Sequence, residues 1–140
     1  MATSGCAFFK STASVAVANA DTIKIGFVGS FSGDTAANGK PDLDGINMAL
    51  AQINATGVLG GRKIQVLRGD DRSDPEQGAP VANALIDQGA VALIGPNSSG
   101  IAEKMLEGAA KKRGVVMTSP SATSPAFSDP KQIDTGGYFF

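Results

Sequence analysis

Four short apolar runs alternate along this chain with segments whose apolar residues recur at helical spacing. The first run starts at Ile23, and the segment that follows it carries Leu43, Ile46 and Leu50 on one helical face. This alternation predicts parallel strands joined by right-handed helical crossovers. We therefore expect an α/β fold with a doubly wound, mostly parallel sheet and helices on both faces.

Each apolar run ends in a small polar loop that is rich in hydroxyl groups. These loops cover residues 29–33, 70–73, 95–100 and 119–123. Because the carboxyl ends of parallel strands meet at one edge of a sheet, the four loops should lie together there. Open α/β folds bind their ligands at that edge. The sequence therefore predicts a hydroxyl-rich binding site.

Several residues predict where individual elements begin. Pro41 is favoured as a first helical residue, and Asp74 can cap a second helix that starts at Pro75. Pro80 would fall inside that helix, which predicts a kink or a later start. Residues 138–140 predict the start of a fifth strand. Because the sequence stops within this aromatic run, we expect it to be a fragment of a longer protein.

Composition narrows the class of partner and of chemistry. The 140 residues contain 12 Lys and Arg against 13 Asp and Glu, a formal net charge of -1, which provides no basic face for nucleic acid. A small neutral or zwitterionic partner fits better. The sequence contains no histidine, which excludes histidine-dependent nucleophilic catalysis. We expect a binding protein rather than an enzyme.

The N-terminal segment favours export. Residues 18–20 have the small-x-small form of a signal peptidase site, which indicates a periplasmic or other extracytoplasmic location. Lys10 and its polar neighbours, however, interrupt the apolar stretch that such a peptide needs. Residues 1–20 are therefore either a signal-peptide remnant or a disordered leader.

Known phosphate-binding motifs do not fit the first polar loop. Gly33 and Gly39 enclose five residues where a P-loop has four, and Lys40 is followed by Pro41 rather than by Ser or Thr. The glycines are equally well explained as a flexible turn between a strand and a helix. The polar side chains near them, Asn38 included, remain available to a ligand.

The second polar loop concentrates carboxylates. Asp70, Asp71 and Asp74 could together hold Mg²⁺, since clustered carboxylates bind hard cations. Carboxylates also cap helices and stabilise turns at strand ends. We expect this structural role here, and we expect no metal or cofactor.

The third loop, residues 95–100, has the most specific indication of ligand binding. Ser98 and Ser99 supply two hydroxyls and a run of backbone N–H groups at the start of a predicted helix, an arrangement that can capture a carboxylate. Either serine could instead simply cap the helix. Residues 119–123 would lie beside this loop and add further hydroxyls. Two such loops side by side can hold both ends of a zwitterion.

An ordered set of short motifs between residues 21 and 140 carries a family resemblance. The motifs are Ile23-Lys24-Ile25-Gly26, Ser32-Gly33, Asn38-Gly39, Gly45, Ile53-Asn54, Gly57, Gly60-Gly61, Asp70-Asp71, Asp74-Pro75, Ile94-Gly95-Pro96, Ser98-Ser99-Gly100 and Ser119-Pro120-Ser121-Ala122-Thr123-Ser124-Pro125. Together they resemble the first lobe of the type I periplasmic binding proteins. The branched-chain amino acid (Leu/Ile/Val) binding proteins of ABC transporters are the most similar.

The resemblance implies a receptor of two lobes that closes on an amino acid and presents it to a membrane permease. It implies that Ser99 and Thr123 bind the carboxylate and ammonium groups, and that Ser121 contributes backbone atoms. Asn38 matches a position, often aromatic, that touches the ligand side chain. An amide there favours a polar or differently shaped solute. The expected ligand-binding set is Asn38, Ser98, Ser99, Ser121, Ala122 and Thr123.

On this basis residues 21–140 form a truncated first lobe, and the second lobe is not in the sequence. Half a site should bind amino acids weakly or not at all. An exposed fifth strand would also favour pairing with a second copy of the chain. The alternative function is a ligand-sensing lobe of a signalling receptor or regulator with the same fold. A flavodoxin-like enzyme is disfavoured by the missing histidine.

Overall fold

The structure is a computed structural model that describes residues 22–140, so the predicted leader lies outside the described residues. Its elements, in chain order, are β1 (Thr22–Gly29), α1 (Ala36–Thr56), β2 (Lys63–Asp70), α2 (Pro75–Asp87), β3 (Ala92–Ile94), α3 (Ser99–Met105) and β4 (Val116–Thr118). Helix α3 continues through a π-helical turn at Leu106–Ala110 and a last turn at Lys111–Arg113. A 3₁₀ turn follows at Pro125–Ser128.

The four strands form one parallel sheet in the order β2-β1-β3-β4. A parallel bridge pairs Met117 of β4 with Phe139. The Met117 amide donates to the Tyr138 carbonyl at 2.7 Å, and the Phe140 amide donates to the Met117 carbonyl at 3.1 Å. The predictions of an α/β fold and of a strand beginning at residues 138–140 are therefore confirmed.

The order of the strands creates a switch point in the sheet. From β1 the chain crosses to β2 on one side, and from β2 it returns past β1 to β3 on the other side. Because parallel crossovers are right-handed, this reversal places α1 on one face of the sheet and α2 and α3 on the other. The loops after β1 and β3 then diverge and leave a crevice between them. Such a switch point is the usual ligand site of an open α/β sheet.

The core lies between the sheet and helices α2 and α3. Val28, Leu93 and Met117 project from three neighbouring strands, and Ile101 and Met105 of α3 lie against them, with 0–1% of each residue exposed. These residues have the strand and helix periodicities that the sequence showed. The opposite face of the sheet is less completely covered.

Helices α1 and α2 each contain an internal proline, and each begins before that proline. Helix α1 starts at Ala36 rather than at Pro41, so the predicted start was wrong. A turn in which the Ala36 amide donates to the Gly33 carbonyl at 3.2 Å initiates the helix upstream. Helix α2 starts at Pro75 and continues through Pro80 without the later start that was considered.

The predicted cap explains the start of α2. One carboxylate oxygen of Asp74 accepts a hydrogen bond from the Glu76 amide at 2.9 Å, which satisfies an amide that has no partner within the helix. The cap fixes the first turn at Pro75, and Pro80 then falls early in the helix. The structural role that was expected for Asp74 is confirmed.

Candidate functional site

A polar groove of about 400 Å³ lies at the carboxyl edge of the sheet, at the switch point between β1 and β3. Its walls come from the start of α1, from the loop after β3 and from the loop after β4. The lining residues are Thr35, Asn38, Pro41, Asp42, Asn97, Ser98 and Ser121. Three strand ends that are distant in sequence therefore contribute to one site.

The carboxylate of Asp70 holds the loop that leads into α1. Its Oδ1 accepts hydrogen bonds from the amides of Phe31 at 2.9 Å and Ser32 at 3.2 Å, and its Oδ2 accepts one from the Ser32 hydroxyl at 2.8 Å. Burial works against the ionised carboxylate, but these bonds and one from the Arg72 amide outweigh it and lower the pKa of Asp70. The ionised form of Asp70 thus fixes one side of the groove.

Ser73 links the loop that Asp70 holds to Thr35 on the groove wall. Its hydroxyl donates to the Ser32 carbonyl at 3.1 Å and accepts a hydrogen bond from the Thr35 amide at 3.0 Å. The Thr35 hydroxyl lies 2.8 Å from the same oxygen. Arg72 and Ser73 both have left-handed backbone angles, with φ of 57° and 60°, an uncommon conformation for residues other than glycine. This tight turn brings the Ser73 hydroxyl to Thr35.

The loops after β3 and β4 are also joined to each other. Ser119 donates from its hydroxyl to the Pro96 carbonyl and accepts a hydrogen bond from the Ala122 amide at 2.9 Å. The Ser121 hydroxyl donates to the Asn97 carbonyl at 3.2 Å. These bonds make the two loops one rigid wall of the groove.

All six predicted site residues lie in this region, but only three of them line the groove. Asn38, Ser98 and Ser121 line the groove. Ser99, Ala122 and Thr123 belong to the same two loops but do not line it. The hydroxyl of Ser99 accepts a hydrogen bond from the Ser124 amide at 3.1 Å, which leaves its own proton available to an acceptor.

Sequence reasoning missed Asp42 and Asn97 as site residues. The Asn97 side chain donates from Nδ2 to Oδ2 of Asp42 at 2.7 Å, across the groove between the loop after β3 and α1. Helical spacing could have revealed Asp42, because it stands four residues after Asn38 and so shares its face of the helix. The expectation that α1 began only at Pro41 placed Asn38 outside that helix and hid the relation.

A second, more apolar recess of about 360 Å³ adjoins the groove and shares Pro41 and Asp42 with it. Its remaining lining residues are Gly45, Ile46, Ala49, Ile94 and Pro120. This recess lies between α1 and the ends of β3 and β4. The site therefore combines a polar groove with an apolar extension along α1.

Asp70 and Asp71 of the second loop have structural roles. Asp71 is fully buried and accepts a hydrogen bond from the Ser30 hydroxyl, whereas Asp70 anchors the neighbouring loop. Within residues 22–140, no three Asp, Glu, His or Cys side chains cluster in a way that could hold a metal ion. In that same range no helix combines the length and the apolar character needed to cross a membrane.

Comparison with known proteins agrees with the fold. A model of the family described as periplasmic binding protein matches residues 22–138. The Leu/Ile/Val-binding protein of Escherichia coli strain K12 is 35% identical over 109 residues, which are 78% of this chain and 29% of that protein. Leu/Ile/Val-binding protein homolog 2 of Brucella abortus strain 2308 is 35% identical over 113 residues, 81% of this chain and 30% of that protein.

A solved structure shows the same relation in three dimensions. The branched-chain amino acid transporter substrate-binding protein LivJ of Streptococcus pneumoniae, in complex with isoleucine, superimposes with a TM-score of 0.74 and 35% identity. The match covers 85% of this chain and 33% of that one. The chain thus spans about a third or less of the length of these relatives.

This chain belongs to the periplasmic binding protein family. Within that family it is of type I and groups with the branched-chain amino acid binding proteins, as the resemblance in the sequence predicted.

Proposed function

We propose that this chain is the first lobe of the extracytoplasmic substrate-binding component of an ABC transporter. It captures a small amino acid or a related solute and, together with a second lobe, delivers it to the permease. The observation that carries this proposal is the polar groove at the switch point of the sheet, built from three strand ends. The relatives are named as binding proteins and transporter components, which favours uptake over the sensing alternative and over enzymatic activity.

The chemistry around the groove suits the two charged ends of an amino acid. Ser99 can donate its hydroxyl proton to a carboxylate while it accepts the Ser124 amide. The carbonyls of Ser121 and Ala122 accept no hydrogen bond from the described residues and can accept one from an ammonium group. The Thr123 hydroxyl adds a further donor or acceptor beside them. Ser98 and Asn38, on the groove wall, would contact the rest of the solute.

The site built by residues 22–140 is one half of a cleft. Two-lobed receptors gain affinity by burying the ligand between their lobes, and this groove is lined from one lobe only. We therefore expect the chain to bind free amino acids with dissociation constants in the millimolar range. Micromolar binding measured by calorimetry would contradict the half-site account.

Mapping of backbone amide shifts tests the proposal. The ¹⁵N-labelled chain would be titrated with leucine, isoleucine and valine, and then with polar amino acids, amides and aromatic acids. At least one amino acid should shift the amides of residues 97–99 and 121–124 in a saturable way. Shifts confined to other surfaces, or no shifts with any of these solutes, would overturn the proposal.

We also propose that the isolated chain self-associates through the uncovered part of its sheet. Val116 of β4 is 44% exposed and Phe140, on the adjoining extended segment, is 73% exposed. The outer edge of the segment 138–140 pairs with no strand of the described residues, and apolar side chains beside such an edge favour pairing with another copy. Sedimentation velocity should show a concentration-dependent dimer that the Val116→Lys and Phe140→Lys variants abolish. A monomer at all concentrations would contradict this.

A further inference from the structure

The groove contains a single charged side chain among its seven lining residues within the described part of the chain. This is Asp42, which lies on α1 one turn after Asn38 and is partly buried. The other side chains that line the groove are neutral amides, hydroxyls and a proline. Its electrostatic character toward a solute is therefore set by one carboxylate.

This carboxylate is oriented but not neutralised. Its Oδ2 accepts the 2.7 Å hydrogen bond from Asn97, which is a neutral donor, and its Oδ1 accepts none from residues 22–140. No lysine or arginine of that range forms an ion pair with it, whereas Asp44 on the same helix pairs with Lys40. The negative charge at the groove is thus left for an external partner.

The Asn97 side chain is itself held in one orientation. Its Oδ1 is buried and finds no donor in the described residues, although a buried acceptor without a partner is costly. If the side-chain amide were flipped, Oδ1 of Asn97 would face the carboxylate of Asp42, and the two acceptors would repel each other. Asp42 and Asn97 therefore form a fixed pair. Within this pair, Oδ1 of the negatively charged Asp42 remains free to accept a hydrogen bond.

Given the proposed function, on which this step rests, we infer that Asp42 and Asn97 select the solute. An aliphatic side chain placed against Asp42 would remove water from the carboxylate without supplying a charge or a hydrogen bond, and only contacts in the apolar recess could offset that cost. A cationic or N–H-rich side chain would supply the missing charge and hydrogen bonds. The preferred solute is an amino acid whose side chain ends in a guanidinium, ammonium or amide group rather than in an aliphatic one.

Dissociation constants from NMR titrations test this inference. L-Arginine, L-lysine and L-leucine would each be titrated into the wild-type chain, the Asp42→Asn variant and the matched control Asp44→Asn, in which the altered carboxylate belongs to the Lys40 pair. The wild type should bind arginine and lysine about tenfold more tightly than leucine, the equivalent of one charged contact. Asp42→Asn should remove this preference, because it weakens arginine and lysine and lessens the cost of removing water from the carboxylate when leucine binds, and Asp44→Asn should retain it.

Other outcomes overturn the inference in distinguishable ways. Tighter binding of leucine than of arginine by the wild type, or an unchanged preference in Asp42→Asn, refutes the selection by Asp42 and leaves the binding proposal intact. Equal weakening of leucine and arginine by Asp42→Asn would show that the carboxylate meets the ligand's α-ammonium instead. Absence of binding by all three amino acids would refute the inference, and the proposed function would fail with it only if none of the polar amino acids, amides and aromatic acids shifted the amides of residues 97–99 and 121–124 either.

Discussion

Ser30 donates a 2.6 Å hydrogen bond from its hydroxyl to Oδ1 of Asp71, and both residues are buried, with 2% and 0% of their surfaces exposed. Ser30 directly follows β1 and Asp71 directly follows β2, so the bond ties together the carboxyl ends of two neighbouring strands. The same Oδ1 also accepts the Ser73 amide at 2.9 Å. The loops that bound one side of the groove therefore depend on a buried polar contact.

Replacing Ser30 by alanine should destabilise the protein by about 1–3 kcal/mol, because a buried carboxylate would lose its hydroxyl donor. The free energy of unfolding can be measured by urea denaturation followed by circular dichroism. Ser128→Ala, at an exposed serine outside this contact, is the matched control and should change stability by less than about 0.5 kcal/mol. Equal effects of the two substitutions would show that the Ser30 contact contributes nothing specific.

Asp70 should make stability depend on acid pH. Its pKa is lowered in the folded state, because hydrogen bonds to its ionised form outweigh the effect of burial. Its contribution is therefore complete above the unfolded-state pKa of about 4 and is lost as the pH falls through the lower, folded-state value. The difference in stability between wild type and Asp70→Asn should be large near neutral pH and shrink below about pH 4. A difference that does not vary with pH would contradict this role.

Two glycines on α1 provide a matched pair of substitutions. A Cβ at Gly39 would lie 2.2 Å from the Ser30 carbonyl oxygen, whereas a Cβ at Gly45 would meet nothing within 4 Å. Gly39→Ala should therefore push the start of α1 away from the end of β1, at a cost of about 1–3 kcal/mol. Gly45→Ala should stabilise the helix by about 0.5–1 kcal/mol. Thermal denaturation of both variants checks the pair, and a stabilising Gly39→Ala would contradict the close packing.

The sequence was sufficient to predict the fold, for a physical reason. The apolar runs that became β1 to β4 and the helical spacing of residues such as Ile101 and Met105 are local consequences of burial, and both residues are in the core. Alternation of these periods leaves few topologies once crossovers must be right-handed. The cap at Asp74 was also predicted, because its hydrogen bond lies within the first turn of the helix.

What the sequence did not reveal depends on contacts between distant segments. Helix α1 begins at Ala36 because the loop before it is fixed by Asp70 and Ser73, which lie nearly forty residues further along. The contact between Asn97 and Asp42 likewise joins residues 55 positions apart. Hydrogen bonds between side chains at this separation have no period in the sequence, so they become visible only in the folded protein.

The most direct test of the central claim, that the loops after β3 and β4 hold the amino acid, is ligand-induced thermal stabilisation. A solute that binds only the native state raises the melting temperature, and the increase grows with the logarithm of its concentration relative to its dissociation constant. The solute that stabilises the wild type most should stabilise Ser99→Ala and Thr123→Ala much less, while Ser128→Ala keeps the full increase. Comparing the increase caused by the ligand, rather than the melting temperature itself, separates binding from any loss of the Ser99 contact with Ser124. An undiminished increase in both variants would contradict the site.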